Sequence, residues 1–191
     1  MAKVVVKKQT KKTKKKFPIQ IQAPEYLNSV VLGESQVTDT NQMYGRTSQI
    51  NLMYVTGNVK NQNVRLTFKI TEVNSGVAYT EVSRYEQIPY YLGRFVKKGG
   101  DLVEDSFVVE TKDGESVRIK PFIVTKDATS NLVLSSVRKQ LYELVGQEAA
   151  ENKGSDFMAS VINGRIQNML RGELKKIFPL KACEFRKVEF S

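Results

Sequence analysis

Lysine is the residue whose placement in this sequence could do the most chemistry. Lys3, Lys7, Lys8, Lys11, Lys12, Lys14, Lys15 and Lys16 all fall within the first sixteen residues, and no acid precedes Glu25. Ammonium groups spaced this closely neutralise phosphates and release condensed counterions on binding. The stretch therefore reads as an arm for a polyanion, nucleic acid above all, with a solubilising tail as the plainer alternative. Of the net charge of +10, eight charges sit here, which leaves +2 for residues 17–191. Mutual repulsion and the lack of a buriable face predict that residues 1–16 are a disordered tail.

The residue types that catalysis needs are scarce. Histidine is absent and Cys183 is the only cysteine, which removes the commonest general base and most metal ligands. No Walker A loop, GxGxxG, GxSxG or CxxC occurs. Asp101, Glu104 and Asp105 lie close together, but acids in a loop are ordinarily solvated rather than ligating. Cys183 has apolar neighbours and reads as a small core residue. An enzyme acting on an acidic substrate is the poorest fit, and neither metal nor cofactor is expected. A lone cysteine forms no intrachain disulfide, which fits a reducing, cytoplasmic compartment. No run approaches the roughly 20 apolar residues that cross a bilayer.

The elements that would position the remaining cations can be read from periodicity. Residues 107–124 predict a hairpin: Phe107, Val108 and Val109 lead into Lys112-Asp113-Gly114-Glu115, and Val117, Ile119, Phe122 and Ile123 lead out. On the return arm Val117 and Ile119 alternate with Arg118 and Lys120, so one face is apolar and the other basic. A second hairpin spans Asn63 to Tyr85 about an Asn74-Ser75-Gly76 turn. Val64, Leu66, Phe68 and Ile70 face one way there, and Arg65, Thr67, Lys69 and Thr71 the other.

Residues 17–24 alternate as an extended segment, and Pro18 suggests an edge strand. Gly45 to Met53 is a weaker strand. Pro89 to Lys98 predicts a short helix with Tyr91, Leu92, Phe95 and Val96 inward. After Thr125 the period changes to 3.6. Leu134, Val137, Leu141, Leu144 and Val145 mark one helix, and a second starts at Ser155 and runs to Phe178, with Gly164 and Gly172 as candidate bends. Residues 182–190 close the chain as a strand.

Several of these stretches, in this order, resemble one family. Ala23-Pro24 behind the basic tail, Gly45-Arg46, the strand pair at 64–85, Thr111-Lys112-Asp113-Gly114 leading to Val117-Arg118-Ile119-Lys120-Pro121, and Ile177-Phe178-Pro179-Leu180 with Phe185-Arg186-Lys187 carry the likeness. The chain is similar to the archaeal and eukaryotic small-subunit ribosomal protein S-three-Ae family, the eukaryotic-type S-one proteins, in its archaeal form. That resemblance implies a non-enzymatic, cofactor-free constituent of the small ribosomal subunit. It would bind ribosomal RNA on the platform near the messenger RNA exit, beside neighbouring ribosomal proteins and messenger RNA.

The expected fold is α+β: a mostly antiparallel, β-barrel-like core over 17–125, flanked by one short helix and by two longer C-terminal helices, the latter over 126–180. A closing strand over 181–191 completes a single domain, 17–191. Lys126-Asp127-Ala128-Thr129-Ser130-Asn131 stands where the family is often arginine-rich. The expected RNA contacts are therefore Lys7, Lys8, Lys11, Lys12, Lys14, Lys15, Lys16, Arg46, Arg94, Lys97, Lys98, Arg118, Lys120, Arg186 and Lys187. The alternative is a free-standing binder of single-stranded RNA or DNA that stacks bases on Tyr90 and Tyr91.

Overall fold

A computed structural model describes residues 15–190. The 64–85 hairpin forms where the alternation placed it. β4 (Val64–Asn74) and β5 (Val77–Gln87) pair antiparallel along their length. Ser75 and Gly76 turn the chain with φ of 49° and 84°, the left-handed pair that matches strand twist in a two-residue hairpin. Val64, Leu66 and Phe68 are buried in the main core, and Arg65 stays exposed.

The 107–124 hairpin is β7 (Phe107–Glu110) against β8 (Ser116–Thr125), with Val109 opposite Val117. Its tip closes through Gly114 N–H on Thr111 O at 2.9 Å. β8 continues past the hairpin and pairs a further short strand, β6 (Leu102–Glu104).

These pieces join one open sheet of nine strands in which β9 (Leu180–Phe190) lies between β5 and β8. The other edge of β5 is taken by β4, which in turn pairs β3 (Thr47–Asn51). The start of β5 also pairs β1 (Phe17–Gln22) in parallel, and β1 pairs β2 (Val31–Val37). The α+β class therefore holds, with the sheet open and one parallel pairing within it. β1 is not an edge strand, and the reason Pro18 is tolerated is local. The pairing to β5 begins only at Gln20, so no ladder bond on that side needs the N–H that proline lacks.

Three helices cover one face of the sheet. α3 (Asn131–Glu151), α4 (Gly154–Ile162) and α5 (Arg165–Leu174) bury Val137, Leu141, Phe157, Met158, Ile166 and Leu170 against Phe68, Tyr85, Ile119 and Phe185. The single helix expected over 155–178 is broken in two. Gly164, at φ 73°, is left-handed, which glycine adopts without steric cost. The break frees the Val161 carbonyl, which then accepts from Gly164 N–H at 3.1 Å and from the Gln167 side chain at 2.9 Å. The helix also begins one residue earlier than Ser155, at Gly154.

Two shorter helices complete the order. α1 (Leu52–Thr56) takes Met53 out of the strand expected there, because Asn51 caps the helix by accepting from Met53 N–H at 2.9 Å. α2 (Pro89–Gly93) ends sooner than expected, and Val96 is exposed rather than buried. α2 lies on the opposite face of the sheet from α3–α5, where Leu92, Tyr91 and Phe95 pack on Phe122, Val124 and Ala182.

Behind α2 the chain is fastened to β8. Asp101 N–H donates to Thr125 Oγ1 at 2.7 Å, Thr125 N–H returns to Asp101 O at 3.0 Å, and Thr129 N–H donates to the Asp101 carboxylate at 2.7 Å. The close approach leaves no room at Gly100, where a Cβ would sit 2.6 Å from the Thr125 carbonyl oxygen. Gly100→Ala is expected to cost about 1–3 kcal/mol, read as a lowered urea midpoint at unchanged m-value.

Candidate nucleic-acid interface

The face of the sheet away from α3–α5 collects the cations that alternation had pointed outward. Val117 and Ile119 enter the main core, so Arg118 and Lys120 project to the other side. Strand pairing then brings residues that are distant in sequence into two rows. Arg84, Glu189 and Arg118 are successive partners across β5, β9 and β8, and Glu86, Lys187 and Lys120 form the next row. Arg65 extends the second row opposite Glu86.

A bulge in β9 adds Arg186 to this face. Lys120 pairs Lys187 while Pro121 pairs Phe185, so Arg186 is the unpaired extra residue and reaches Glu104 of β6 at 3.5 Å. Arg94, Lys97 and Lys98 stand alongside, since α2 packs on Phe122 and Val124, which share a strand face with Arg118 and Lys120. The Arg94 guanidinium lies over the Tyr91 ring, 4.8 Å from its centre.

Acids on this face pair with several of the cations. Glu189 accepts from both Arg84 and Lys187, the latter at 2.6 Å. The Lys187 hydrogen bond, with Arg84 behind it, holds the Glu189 carboxyl below the ordinary glutamate value. Exposed pairs of this sort add little stability, but they fix where side chains point. Among the described residues Arg118, Lys120, Lys97 and Lys98 have no ion-pair partner and are available to phosphate.

Of the fifteen expected contact residues, seven (Arg94, Lys97, Lys98, Arg118, Lys120, Arg186 and Lys187) come together on this face. Arg46 does not: it precedes β3, whose first residue pairs Lys69, and turns back to the Met43 sulfur at 3.9 Å. Lys15 and Lys16 are exposed just ahead of β1. Lys7, Lys8, Lys11, Lys12 and Lys14 lie outside the described residues. Arg65 and Arg84 were overlooked as site residues. Their alternation was visible, but Arg84 joins Arg118 only through the pairing of β5 with β9, which no local pattern reveals.

Other polar features of the molecule have different characters. A groove of about 690 Å³ between the β4–β5 pair and α4 is lined by Glu72, Glu81, Asp113 and Glu115 against one cation, Lys69, and would repel phosphate. Burial pushes the Cys183 thiol up to about 12, which makes it a core residue and not a nucleophile.

Glu184, beside the point where β5 and β9 separate, is also raised by burial, opposed by a hydrogen bond from Gln87 and by Arg171. A raised native value means that its contribution to stability is full below the unfolded value and is lost as pH rises through the native one. Glu184→Gln should therefore raise the melting temperature at neutral pH and leave it unchanged in acid. Glu189, lowered in the native state, acts in the opposite sense and loses its contribution as pH falls.

The sheet is open, with α3–α5 on one face and α2 beside the rows of cations on the other. The chain belongs to the Ribosomal S3Ae family, whose model matches residues 4–191. This is a family of structural ribosomal proteins rather than enzymes, in agreement with the expectation of no catalysis.

Similar proteins carry the name small ribosomal subunit protein eS1. The one from Haloarcula marismortui is 34% identical over 178 residues, covering 93% of this chain and 84% of the relative. That from Halorubrum lacusprofundi is 32% identical over 166 residues, 87% of this chain and 77% of the relative. That from Nanoarchaeum equitans is 30% identical over 166 residues, 87% of this chain and 84% of the relative.

Proposed function

We propose that this chain is a structural constituent of the small ribosomal subunit. It binds ribosomal RNA with the face of its sheet opposite α3–α5 and with its lysine-rich leader, on the platform near the messenger RNA exit and in the cytoplasm. Residues 17–191 serve as one domain that sets shape, and residues 1–16 serve as an arm. Neighbouring subunit proteins and messenger RNA complete its surroundings. The observation that carries this reading is the two-row cation face with Arg118 and Lys120 unpaired, in a chain whose relatives bear a small-subunit name. Contacts of this type go to phosphate and fix register, and the fold rather than base readout determines the fit.

The test is co-sedimentation of the full chain with small subunits through a moderate-salt gradient, followed by mapping of protein–RNA crosslinks. Crosslinks at Lys97, Lys98, Lys120 and Lys187 are expected. A chain left at the top of the gradient overturns the reading.

The free-standing binder of single strands draws support from Tyr90, which is 84% exposed. Tyr91 instead packs beside Phe95 with ring centres 5.2 Å apart. If Tyr90→Ala abolished oligonucleotide binding without affecting co-sedimentation, that second function would be established.

A further inference from the structure

The groove of about 690 Å³ between the β4–β5 pair and α4 is closed to RNA by its charge, and that charge points to another occupant. Glu72 and Glu81 line it from the strands, and Asp113 and Glu115 from the tip of the β7–β8 hairpin. All four are exposed, and among the described residues none of them has an ion-pair partner. Glu115 lies against the start of α4, where a Cβ on Gly154 would sit 2.2 Å from its carboxylate, so Glu72, Glu81 and Asp113 are the acids open to a guest. Lys69, the one cation in the lining, stands opposite Glu81 in the β4–β5 ladder, where opposite charges attract. Lys112 and Lys153 adjoin lining residues in sequence but do not line the groove. The lining therefore keeps an excess of negative charge.

Tyr26 and Tyr79 add rings to the same lining, 39% and 43% open to solvent. Carboxylates beside exposed tyrosine faces suit an ammonium on a long apolar stem, since the charge meets the acids while the methylenes cover the rings. The chain carries its own supply of such groups, joined to the structure at a known point. Gln22, the last residue of β1, pairs Tyr79 at the groove. β1 rises about 3.3 Å per residue, which puts the near end of the groove roughly 16 Å from Phe17. Residues ahead of Phe17 extend at most about 3.5 Å each. Lys12 thus just reaches the near end at full stretch, and Lys11, Lys8 and Lys7 reach it with length to spare. Lys14, Lys15 and Lys16 are held too close to the start of β1.

We propose that in the free chain the lysine-rich leader doubles back and lays Lys7, Lys8 and Lys11 in this groove, and that ribosomal RNA draws it out on assembly. Tethering makes the contact intramolecular, at an effective concentration in the millimolar range for a short flexible linker. Exposed lysine–carboxylate pairs are individually weak, so the docked leader exchanges with a free one and phosphate competes for the same lysines. Docking shields those lysines from stray polyanions. Ribosomal RNA meets the cation face of the sheet as well, and so outcompetes the groove. The release step rests on the reading of the chain as an RNA-binding ribosomal constituent, whereas the docking does not.

The test is zero-length carbodiimide crosslinking of the full chain, with the lysine–carboxylate amides mapped by mass spectrometry. At about 20 mM salt, where screening is weak, Lys7, Lys8 or Lys11 should link to Glu72, Glu81 or Asp113, and at about 1 M salt these links should be lost. Lys14, Lys15 and Lys16 should form none in the groove at either concentration. Absence of leader-to-groove links at low salt overturns the proposal. So do links found only between isotopically light and heavy chains, which would assign the groove to a second copy. A second arm measures binding to small-subunit RNA. Glu72→Gln, Glu81→Gln and Asp113→Asn together should tighten binding by the full chain about threefold more than binding by a chain lacking residues 1–16, as follows if about two-thirds of free molecules hold the leader docked. An equal gain in both chains would mean that the acids act only by general repulsion of RNA, and overturns the release step. If neither chain binds RNA, the ribosomal reading falls and the crosslinks alone decide the docking.

Discussion

Deleting residues 1–16 is expected to produce the largest loss of RNA affinity that any change to this chain can cause. The segment holds eight of the ten excess positive charges, and each lysine that meets a phosphate adds roughly 0.7–0.9 to the slope of log affinity against log salt. If all eight engage, the deletion flattens that slope by roughly six. Between about 50 and 200 mM salt the intact chain then loses on the order of a thousandfold more affinity than the truncated one. Replacing the same lysines with glutamine should reproduce the effect at full length, which separates charge from reach. For comparison, Arg118→Ala with Lys120→Ala should reduce the slope by only about two. The measurement is binding of each variant to small-subunit RNA across a salt series. Identical affinities at every ionic strength would remove the leader from the interface and leave the sheet face to act alone.

The contrast between leader and face also explains which parts of the molecule were legible in the sequence. Where one residue type or one local period decides the outcome, reading succeeds. Val64, Leu66 and Phe68 alternate with polar residues and end at a turn whose Gly76 is left-handed, so the hairpin needed no tertiary information. The same holds for Val117 and Ile119 against Arg118 and Lys120. Failure came where distant segments decide. The break at Gly164 is local instead: that glycine was a candidate bend, and the Val161 carbonyl freed there finds a side-chain donor in Gln167. Pro18 suggested an edge strand, but β1 has β2 along one side and the start of β5 along the other from Gln20 onward. Of the acids that meet these cations, Glu189 reaches Arg84 and Glu104 reaches Arg186 only through long-range pairing.

β9 is the strand on which that long-range pairing depends, and Phe185 is its anchor. Among the described residues β9 alone connects β5 to β8, and Phe185 is fully buried in the main core beneath α3–α5. Phe185→Ala is expected to destabilise the protein by about 3–5 kcal/mol, a large part of the roughly 5–15 kcal/mol that holds a typical domain. The bulge that follows makes the substitution more than a cavity. Because Pro121 pairs Phe185 and Lys120 pairs Lys187, the packing of Phe185 fixes the register that presents Arg186 and Lys187 on the outer face. A strand slipped by one residue would turn those cations inward. Arg186→Ala, next in sequence but exposed, should cost less than about 0.5 kcal/mol while reducing the salt slope by about one. Urea unfolding of the two variants distinguishes the roles. If Phe185→Ala proved as mild as Arg186→Ala, β9 would not be held by the helix-side core, and the cation face would need another source of order.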